Sequence, residues 1–530
     1  MYKNSKKAHE MLRGEGERNK DIEETQMDPI SGKIPDSVQN VKKRLLEVFS
    51  ECSDIILRDI VCENGRIIML VAYIDELIDK QLLNQYTIAP LSAVKIQDDG
   101  DHSGSKINII KENVIYNSEV SETDRFDNIT EALLSGHAIL FVDGESTALT
   151  IAVKSIKGRA VEEADSERSL RGPREGFVEN LQVNITLLRQ TVRNPNLKVE
   201  HMVLGEQTHT DIAICYIKSI VNDKTVEEVK VRLNKIKVDA IMESGYIEQY
   251  IEDNVIRFFP MVGNSEKPDK VAAKLLEGRV AILCDCTPFA LTVPFLFIEN
   301  IQSAEDYYGH PVYSSILRIL RFAALLITTC LPALYVALAA FHQSVIPFKL
   351  LMTMAASREG IPFSPYVEAM LMNISFDLLR EAGIRMPKSI GDAVSIVGAI
   401  VLGQASVEAG IASAPMVIVT SLTAICSFVV PSLAQVSMIM RYIFLTVANL
   451  FGLLGIATVF VMMFSYLCTK RSFGVPYLSP FAPLITQDLK DTLIVVPVWA
   501  MFTRPKSIVR CTNDNRAART SKPAAKDDKK

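Results

Sequence analysis

The sequence predicts an α/β (or α+β) two-lobed cytoplasmic N-terminal domain with duplicated lobes, followed by an α-helical transmembrane bundle. Three observations lead to this fold class: charge is concentrated in one half, an internal repeat occupies that half, and long apolar runs occupy the other. The predicted segments are a disordered polar leader (1–42), soluble lobe 1 (43–158), a charged linker (159–180), soluble lobe 2 (181–312), a transmembrane helical domain (313–470) and a C-terminal segment with a basic cytoplasmic tail (471–530).

Charged side chains are unevenly distributed along the 530-residue chain. It has 57 basic and 62 acidic side chains and a net charge of −5, but residues 314–468 hold only 14 of those 119 charges. This segregation excludes a plain soluble enzyme, a disordered chain and a fibrous protein. The first 30 residues are polar and contain no apolar signal-peptide core, so we expect the N-terminal domain to stay in the cytoplasm. The nine scattered cysteines indicate reduced thiols.

The N-terminal half repeats itself after about 143 residues. The clearest match aligns LLSGHAILFVDGESTALTIAV (133–153) without gaps on LLEGRVAILCDCTPFALTVPF (275–295). Each copy predicts an apolar strand, a tight turn begun by an aspartate (Asp143 or Asp285) and a second strand. Because helix-period segments alternate with strands, each lobe is predicted to be a small α/β or α+β layer structure.

No sequence motif in this half indicates catalysis. It contains no Gly-rich phosphate loop, no H-E-x-x-H, no G-x-S-x-G and no Cys/His zinc spacing. Cys284 and Cys286 have no further ligands nearby, so we interpret them as two strand residues on one face. We therefore expect no enzyme activity, cofactor or metal. Two interpretations of the lobes stay open: they close on a ligand between them, or they form a scaffold for subunit contacts.

The apolar half predicts about four membrane spans, or six if residues 345–382 cross twice. The clearest candidates for crossing a ~30 Å hydrocarbon layer are 316–341, 390–409, 412–431 and 439–467. The Pro-punctuated segment 345–382 is more polar, and a re-entrant or interfacial helix is the preferred interpretation. Polar candidates at membrane depth, which must face protein or water, are Glu368, Asp377 and Gln404.

Positive charge predicts the orientation. Arg380, Arg385 and Lys388 crowd one loop, and the tail from Arg504 to Lys530 has nine basic and three acidic residues. The tail is therefore expected on the cytoplasmic face, held partly by anionic lipid.

Segment 390–409 carries two patterns. Small residues, including Gly398 and Gly403, suit close helix packing. A second stripe at helical spacing consists of the pore-lining candidates Val394, Val397, Val401, Ala405 and Glu408. An apolar stripe that ends in a carboxylate is typical of a cation pathway with a hydrophobic gate. Simple helix packing, with Glu408 at the outer interface, explains the same pattern.

Three long stretches resemble the A subunit of GerA-type spore germinant receptors. They are 167–189, 275–294 and 362–425, and the similarity spans roughly residues 40–505. One departure is Cys286: the family usually has glycine in a D-G-T-P turn, and this sequence reads D-C-T-P.

The resemblance implies a multi-pass protein of the bacterial spore inner membrane, with the N-terminal domain and the C-terminal tail on the cytoplasmic (spore core) side. It implies a transporter-like, nutrient-binding B subunit, a lipoprotein C subunit, further copies of the same chain and membrane lipid as partners, and no nucleic acid. The A subunit would oligomerise into a nutrient-gated cation channel that initiates germination. This shifts the interpretation of 390–409 toward pore lining. The alternatives are a secondary transporter, for which the required inverted repeat is not found, and a non-conducting scaffold subunit.

Overall fold

The computed structural model describes residues 31–61, 68–93, 106–113, 115, 119–154, 167, 171–253, 258–386, 402–501 and 503–509. The chain forms two compact units. Unit 1 comprises Met1–Arg168, Pro173–Ile251 and Asn264–Thr292, and unit 2 comprises Ser169–Gly172, Glu252–Gly263 and Val293–Lys530.

Unit 1 contains two five-stranded sheets with the same strand order. The first runs β1-β2-β4-β5-β3 and the second β6-β7-β9-β10-β8, which is the same order advanced by five strands. The strands are β1 (Ile55–Val61), β2 (Ile68–Ile74), β3 (Val120–Thr123), β4 (His137–Val142), β5 (Ala148–Ala152), β6 (Leu197–Leu204), β7 (Thr210–Ile217), β8 (Gly263–Ser265), β9 (Val280–Cys284) and β10 (Ala290–Val293).

Helices cover both sheets. They are α1 (Val38–Val48), α2 (Lys80–Leu83), α3 (Ala89–Ala93), α4 (Lys106–Asn113), α5 (Phe126–Leu134), α6 (Leu181–Thr191), α7 (Asp223–Asn234), α8 (Ser244–Ile251) and α9 (Pro268–Leu276). Strand β2 shows that the first sheet is covered on both faces. Met69 and Val71 belong to one hydrophobic cluster, and Leu70 and Ala72 belong to the cluster on the opposite face. A strand buried on both faces has a continuous apolar sequence. The predicted mixed α/β class of the N-terminal half is confirmed.

The aspartate turns have the same role in both sheets. Asp143 Oδ1 accepts a hydrogen bond from the N–H of Val38, and Asp285 Oδ1 accepts one from the N–H of Leu181, each at 3.0 Å. Val38 and Leu181 are the first residues of α1 and α6. Each carboxylate therefore satisfies a free N–H at a helix start, where the helix dipole also favours negative charge.

The turn after β9 has the same left-handed backbone conformation as the matching turn after β4, although it contains a cysteine instead of a glycine. Cys286 has a φ of 66° and Gly144, at the matching position, has a φ of 87°. The interpretation of Cys284 and Cys286 as two strand residues is wrong, because β9 ends at Cys284 and Cys286 lies exposed in the turn. Glycine adopts this left-handed conformation at no steric cost, whereas a residue with a Cβ does not.

Unit 2 is mainly helical. Its helices are α10 (Glu305–Tyr308), α11 (Pro311–Ala340), α12 (Phe348–Arg358), α13 (Pro365–Arg385), α14 (Ala414–Ser427) and α15 (Ala434–Thr469), followed by the short hairpin β11 (Arg471–Ser472) and β12 (Val475–Pro476). Residues 402–408 are also helical. Among the described residues, the helices Pro311–Ala340 and Pro431–Thr469 are long and apolar enough to cross a membrane.

Two basic residues expected in a loop lie inside α13. Arg380 and Arg385 belong to this helix, where Arg385 pairs with Glu381 one turn earlier at 2.7 Å. The expectation of a loop is wrong here because the i, i+4 pairing supports continued helix. Lys388 lies outside the described residues.

Helix α15 is a hairpin of two helical arms. Gly452 has non-helical angles (φ 59°, ψ −140°). The rings of Phe444 and Phe460 lie 5.0 Å apart, although sixteen residues of continuous helix would separate them by about 24 Å. A Cβ at Gly452 would lie 2.8 Å from His342 Cε1, so the turn requires glycine. The apolar run 439–467 therefore belongs to two helices, each about 26 Å long.

We expect Cys286→Gly to raise the free energy of unfolding by about 1 kcal/mol, because the left-handed backbone penalty disappears and glycine entropy offsets part of the gain. The melting temperature of the purified full-length chain measures this. Gly144→Cys is the matched control and should lower the melting temperature, since a Cβ there has no atom within 4 Å and adds only backbone strain. A lower melting temperature for Cys286→Gly would contradict the argument.

Candidate functional site

Only one end of the predicted pore segment can be placed. Val394, Val397, Gly398 and Val401 lie outside the described residues. In the helical end, 402–408, Gly403 is buried, and a Cβ there would lie 3.4 Å from Val417 Cγ1 of α14. Gly403 thus lies at a close contact between two helices.

The opposite face of this helical end is exposed. Gln404, Ala405 and Glu408 are all exposed, and positions 404 and 408 lie one turn apart. The exposed faces of α14 and α15 carry large apolar side chains instead, including Ile418, Leu422, Ile425, Leu450, Leu454 and Val461. Val407 is exposed on the same side, so residues 404–408 present two polar side chains, Gln404 and Glu408, together with Ala405 and Val407.

Glu368 lies on the buried side of the same region, near the start of α13. Its side chain is completely buried. Oε1 accepts hydrogen bonds from the backbone N–H of Ser413, at 2.6 Å, and from the Ser413 hydroxyl. Tyr335 Oη of α11 lies 3.3 Å from Ser413 Oγ, and Arg358 Nε of α12 lies 3.8 Å from Glu368 Oε2. Tyr335, Arg358, Glu368 and Ser413 form the Glu368 cluster.

The ion pair of the Glu368 cluster is not hydrogen-bonded. Within the part of the chain that the structure describes, neither Glu368 Oε2 nor Arg358 Nε has a hydrogen-bond partner. Burying a carboxylate costs several kcal/mol unless charge and hydrogen bonds compensate it. The cluster is therefore stabilised mainly by the two hydrogen bonds from Ser413.

Asp377, the second predicted polar residue of α13, has a complete set of partners. Arg441 Nη2 donates to both carboxylate oxygens at 2.7 Å, and the Tyr442 hydroxyl donates to Oδ2 at 2.5 Å. Arg441 and Tyr442 lie on the first arm of α15, so this ion pair ties α13 to the hairpin.

A third buried charge anchors the C-terminal segment, and sequence reasoning missed it. Arg318, near the start of α11, is completely buried and donates to Asp306, to Asp491 and to the carbonyl of Thr492, each at 2.8 Å. The Tyr307 hydroxyl also donates to Asp491 at 2.8 Å. An arginine at the polar end of an apolar helix was the available signal, but one of its two acidic partners, Asp491, lies about 170 residues away.

In unit 1, residues 48–54 of the first lobe lie along β6 of the second. The N–H and hydroxyl of Ser53 both donate to the Val199 carbonyl, at 3.0 and 2.8 Å. Asp54 accepts from Arg189 at 2.8 and 2.9 Å, and both side chains are almost fully buried. Lys198 donates to the Val48 carbonyl at 3.2 Å, and desolvation lowers its pKa. The lobes are joined by buried hydrogen bonds at this edge.

The two buried cysteines of unit 1, Cys215 and Cys284, are poor candidates for chemistry. Burial raises the pKa of Cys215 and of Cys284 to about 12, so both thiols stay protonated at neutral pH. Over the described ranges, no group of three or more His, Cys, Asp or Glu side chains could hold a metal ion.

Comparison with known proteins places the chain in a family. The model of the Bacillus/Clostridium GerA spore germination protein matches residues 43–507. Spore germination protein KA of Bacillus subtilis (strain 168) is 44% identical over 477 residues, 89% of this chain and 87% of that protein. Spore germination protein B1 of the same strain is 38% identical over 474 residues, 89% and 97% of the two chains. The chain belongs to the GerA family of spore germination proteins, and the resemblance inferred from its motifs is confirmed.

One solved structure is also similar. It is the crystal structure of the N-terminal domain of the A subunit of the Bacillus megaterium spore germinant receptor GerK3. The match has 32% identity and a TM-score of 0.40, and it covers 50% of this chain and 98% of that one.

Arg189→Met should lower the free energy of unfolding by about 3–5 kcal/mol, because it leaves the Asp54 carboxylate buried without its partner. Urea unfolding of the purified chain provides the measurement. The double variant Asp54→Leu/Arg189→Met should recover most of the loss. Lys42→Met, which removes an exposed pair with Asp59, should leave the unfolding midpoint almost unchanged. An unaltered midpoint for Arg189→Met would show that the lobes do not depend on this pair.

Proposed function

We propose that this chain is the A subunit of a spore germinant receptor and oligomerises in the spore inner membrane into a nutrient-gated cation channel. The exposed polar side chains of Gln404 and Glu408, which lie one turn apart, carry this proposal. A carboxylate facing lipid is unfavourable by roughly 2.5–3.5 kcal/mol at membrane depth, whereas one that lines a water-filled axis between symmetric copies stays hydrated. In the sequence, Val394, Val397 and Val401 precede Ala405 and Glu408 at helical spacing, the pattern that a hydrophobic constriction would need.

Family membership supports the proposed partners. These are a transporter-like B subunit that binds the nutrient, a lipoprotein C subunit, further copies of this chain and membrane lipid. The hydrogen-bonded junction between the lobes favours a rigid subunit scaffold over a cleft that closes on a ligand. No enzymatic step is needed for this function.

Two described helices, Pro311–Ala340 and Pro431–Thr469, are long and apolar enough to cross a membrane, and we propose six crossings in all, with both termini on the cytoplasmic side. Ser432 donates to the Asn300 carbonyl and Asn300 donates to Tyr477, so both ends of the α15 hairpin lie near Asn300. The hairpin tip, Gly452, contacts His342 just after the end of α11. In the proposed order, α11 leads away from the Asn300 side, α13 returns, the segment ending at 408 leads away, α14 returns, and the two arms of α15 complete the set.

The oligomer is tested directly by the mass of the purified, detergent-solubilised chain, alone and in the assembled receptor. We expect several copies, because an axial pore needs a ring of identical subunits. A monomer inside the working receptor would rule out an axial pore.

Glu408→Lys should lower cation flux by about tenfold or more, since replacing the carboxylate with an ammonium reverses the local attraction for cations. The measurement is K⁺ efflux from liposomes that contain the chain with its B and C partners, triggered by a mixture of the twenty L-amino acids, glucose and nucleosides. Glu381→Lys, an exposed position on α13, is the matched control and should conduct normally. Nutrient binding without any efflux from the wild-type assembly would refute the channel.

A further inference from the structure

The Glu368 cluster is connected to the helical residues 402–408 by hydrogen bonds on either side of the peptide bond between Ala412 and Ser413. Ser413 directly precedes α14 and follows Ala412. The N–H groups of Ile411 and Ala412 both donate to the Ser406 carbonyl, at 2.9 and 3.0 Å. Two short links therefore join Glu368 to the last turn of the helical residues 402–408.

The hydrogen bonds of this path fix the position of Ser413 relative to Glu368, and the position of Ser406 relative to Ser413. A carboxylate oxygen that accepts two hydrogen bonds from one residue fixes both the position and the rotation of that residue. The links from Ala412 and Ile411 to Ser406 transmit this placement to the helix end, because backbone hydrogen bonds close a tight turn there. The exposed side of the same helix end presents Ala405 and Glu408.

Packing alone does not require a charge at this position. Glu368 is completely buried, and the next residue in the chain, Ala369, belongs to a hydrophobic cluster with Val336 and Met416. An apolar side chain of similar volume would avoid the desolvation cost. The proposed function puts Glu368 in the membrane domain, where a buried ionisable group indicates a functional role.

We infer that Glu368 is the positioning residue of the proposed pore: through Ser413 it sets the placement of residues 402–408 and so the direction in which Ala405 and Glu408 face. This assignment rests on the proposed channel function. Glu368 does not contact the permeating ion, since its carboxylate is enclosed by Ser413 and Arg358. Arg358 is 23% exposed and balances the charge from 3.8 Å.

Four variants separate positioning from a general structural role. Glu368→Leu removes the acceptor, and Glu368→Gln keeps an oxygen that can accept from Ser413. Ser413→Ala removes the hydroxyl donor but keeps the N–H. Glu381→Leu on the exposed side of α13 is the matched control. Each is assembled with the B and C subunits in liposomes, and K⁺ efflux is triggered by the amino acid, glucose and nucleoside mixture and normalised to the amount of assembled complex.

We expect Glu368→Leu to lower normalised efflux by about tenfold or more, the effect of losing hydrogen bonds to a charged group. Glu368→Gln should stay within about twofold of wild type, and Ser413→Ala should lose an intermediate amount. In the Glu368→Leu background, Ser413→Ala should cause no further loss, because the two residues act through one contact.

The outcomes distinguish a failure of the channel proposal from a failure of the positioning role of Glu368. If the wild-type assembly binds nutrient and releases no K⁺, the channel proposal fails and this assignment fails with it. If wild type conducts and Glu368→Leu conducts equally well, only the positioning role is overturned. If Glu368→Leu does not assemble, Ser413→Ala and Glu368→Gln decide: normal efflux from Ser413→Ala, or a loss with Glu368→Gln as large as that expected for the leucine variant, overturns it.

Discussion

The need to compensate buried charge is the constraint on which both units depend. In unit 1 the Arg189–Asp54 pair, with side chains 0% and 1% exposed, joins the two lobes. In unit 2, Arg318 forms ion pairs with Asp306 and Asp491, and the pair with Asp491 fixes the C-terminal segment to the start of α11. A charge removed from water needs its partner at hydrogen-bonding distance, so each pair allows one relative placement of the segments that carry it.

The same constraint explains why the exposed side chains of Gln404 and Glu408 indicate a function. Two acidic groups elsewhere in unit 2, Asp377 and Asp306, have basic partners within 3 Å. Glu408 and Gln404 are instead exposed, beside helices whose exposed residues are large and apolar. In a single chain embedded in lipid this face would be unfavourable, and assembly around a hydrated axis removes the conflict. The exposure of Glu408 and Gln404 at this helix end therefore supports the proposed oligomer.

The features that sequence could predict were those with a local signal. The ungapped repeat correctly indicated matching strand–turn–strand units, since β4–β5 and β9–β10 fall within the aligned stretches. It also identified Asp143 and Asp285 as turn residues, but not as caps of helices about 104 residues earlier. The fold-back at Gly452 was missed because an unbroken apolar run has the same hydropathy whether it is straight or folded. The partner of Asp377 was missed because Arg441 is 64 residues away.

Two acidic residues of α13, Asp377 and Glu368, differ in how their carboxylate oxygens are paired, and this difference assigns a structural role to Asp377 and a positioning role to Glu368. Asp377 accepts from Arg441 and Tyr442 on both oxygens, so every displacement of its partners breaks charge-assisted hydrogen bonds. Glu368 places both of its hydrogen bonds on Oε1 and leaves Oε2 opposite Arg358 at 3.8 Å. Helix α13 is therefore fixed near its middle by Asp377 and is joined near its start, through Glu368, to Ser413. The N–H groups of Ile411 and Ala412 join this segment in turn to Ser406, which is why the positioning role is inferred for Glu368 and not for Asp377.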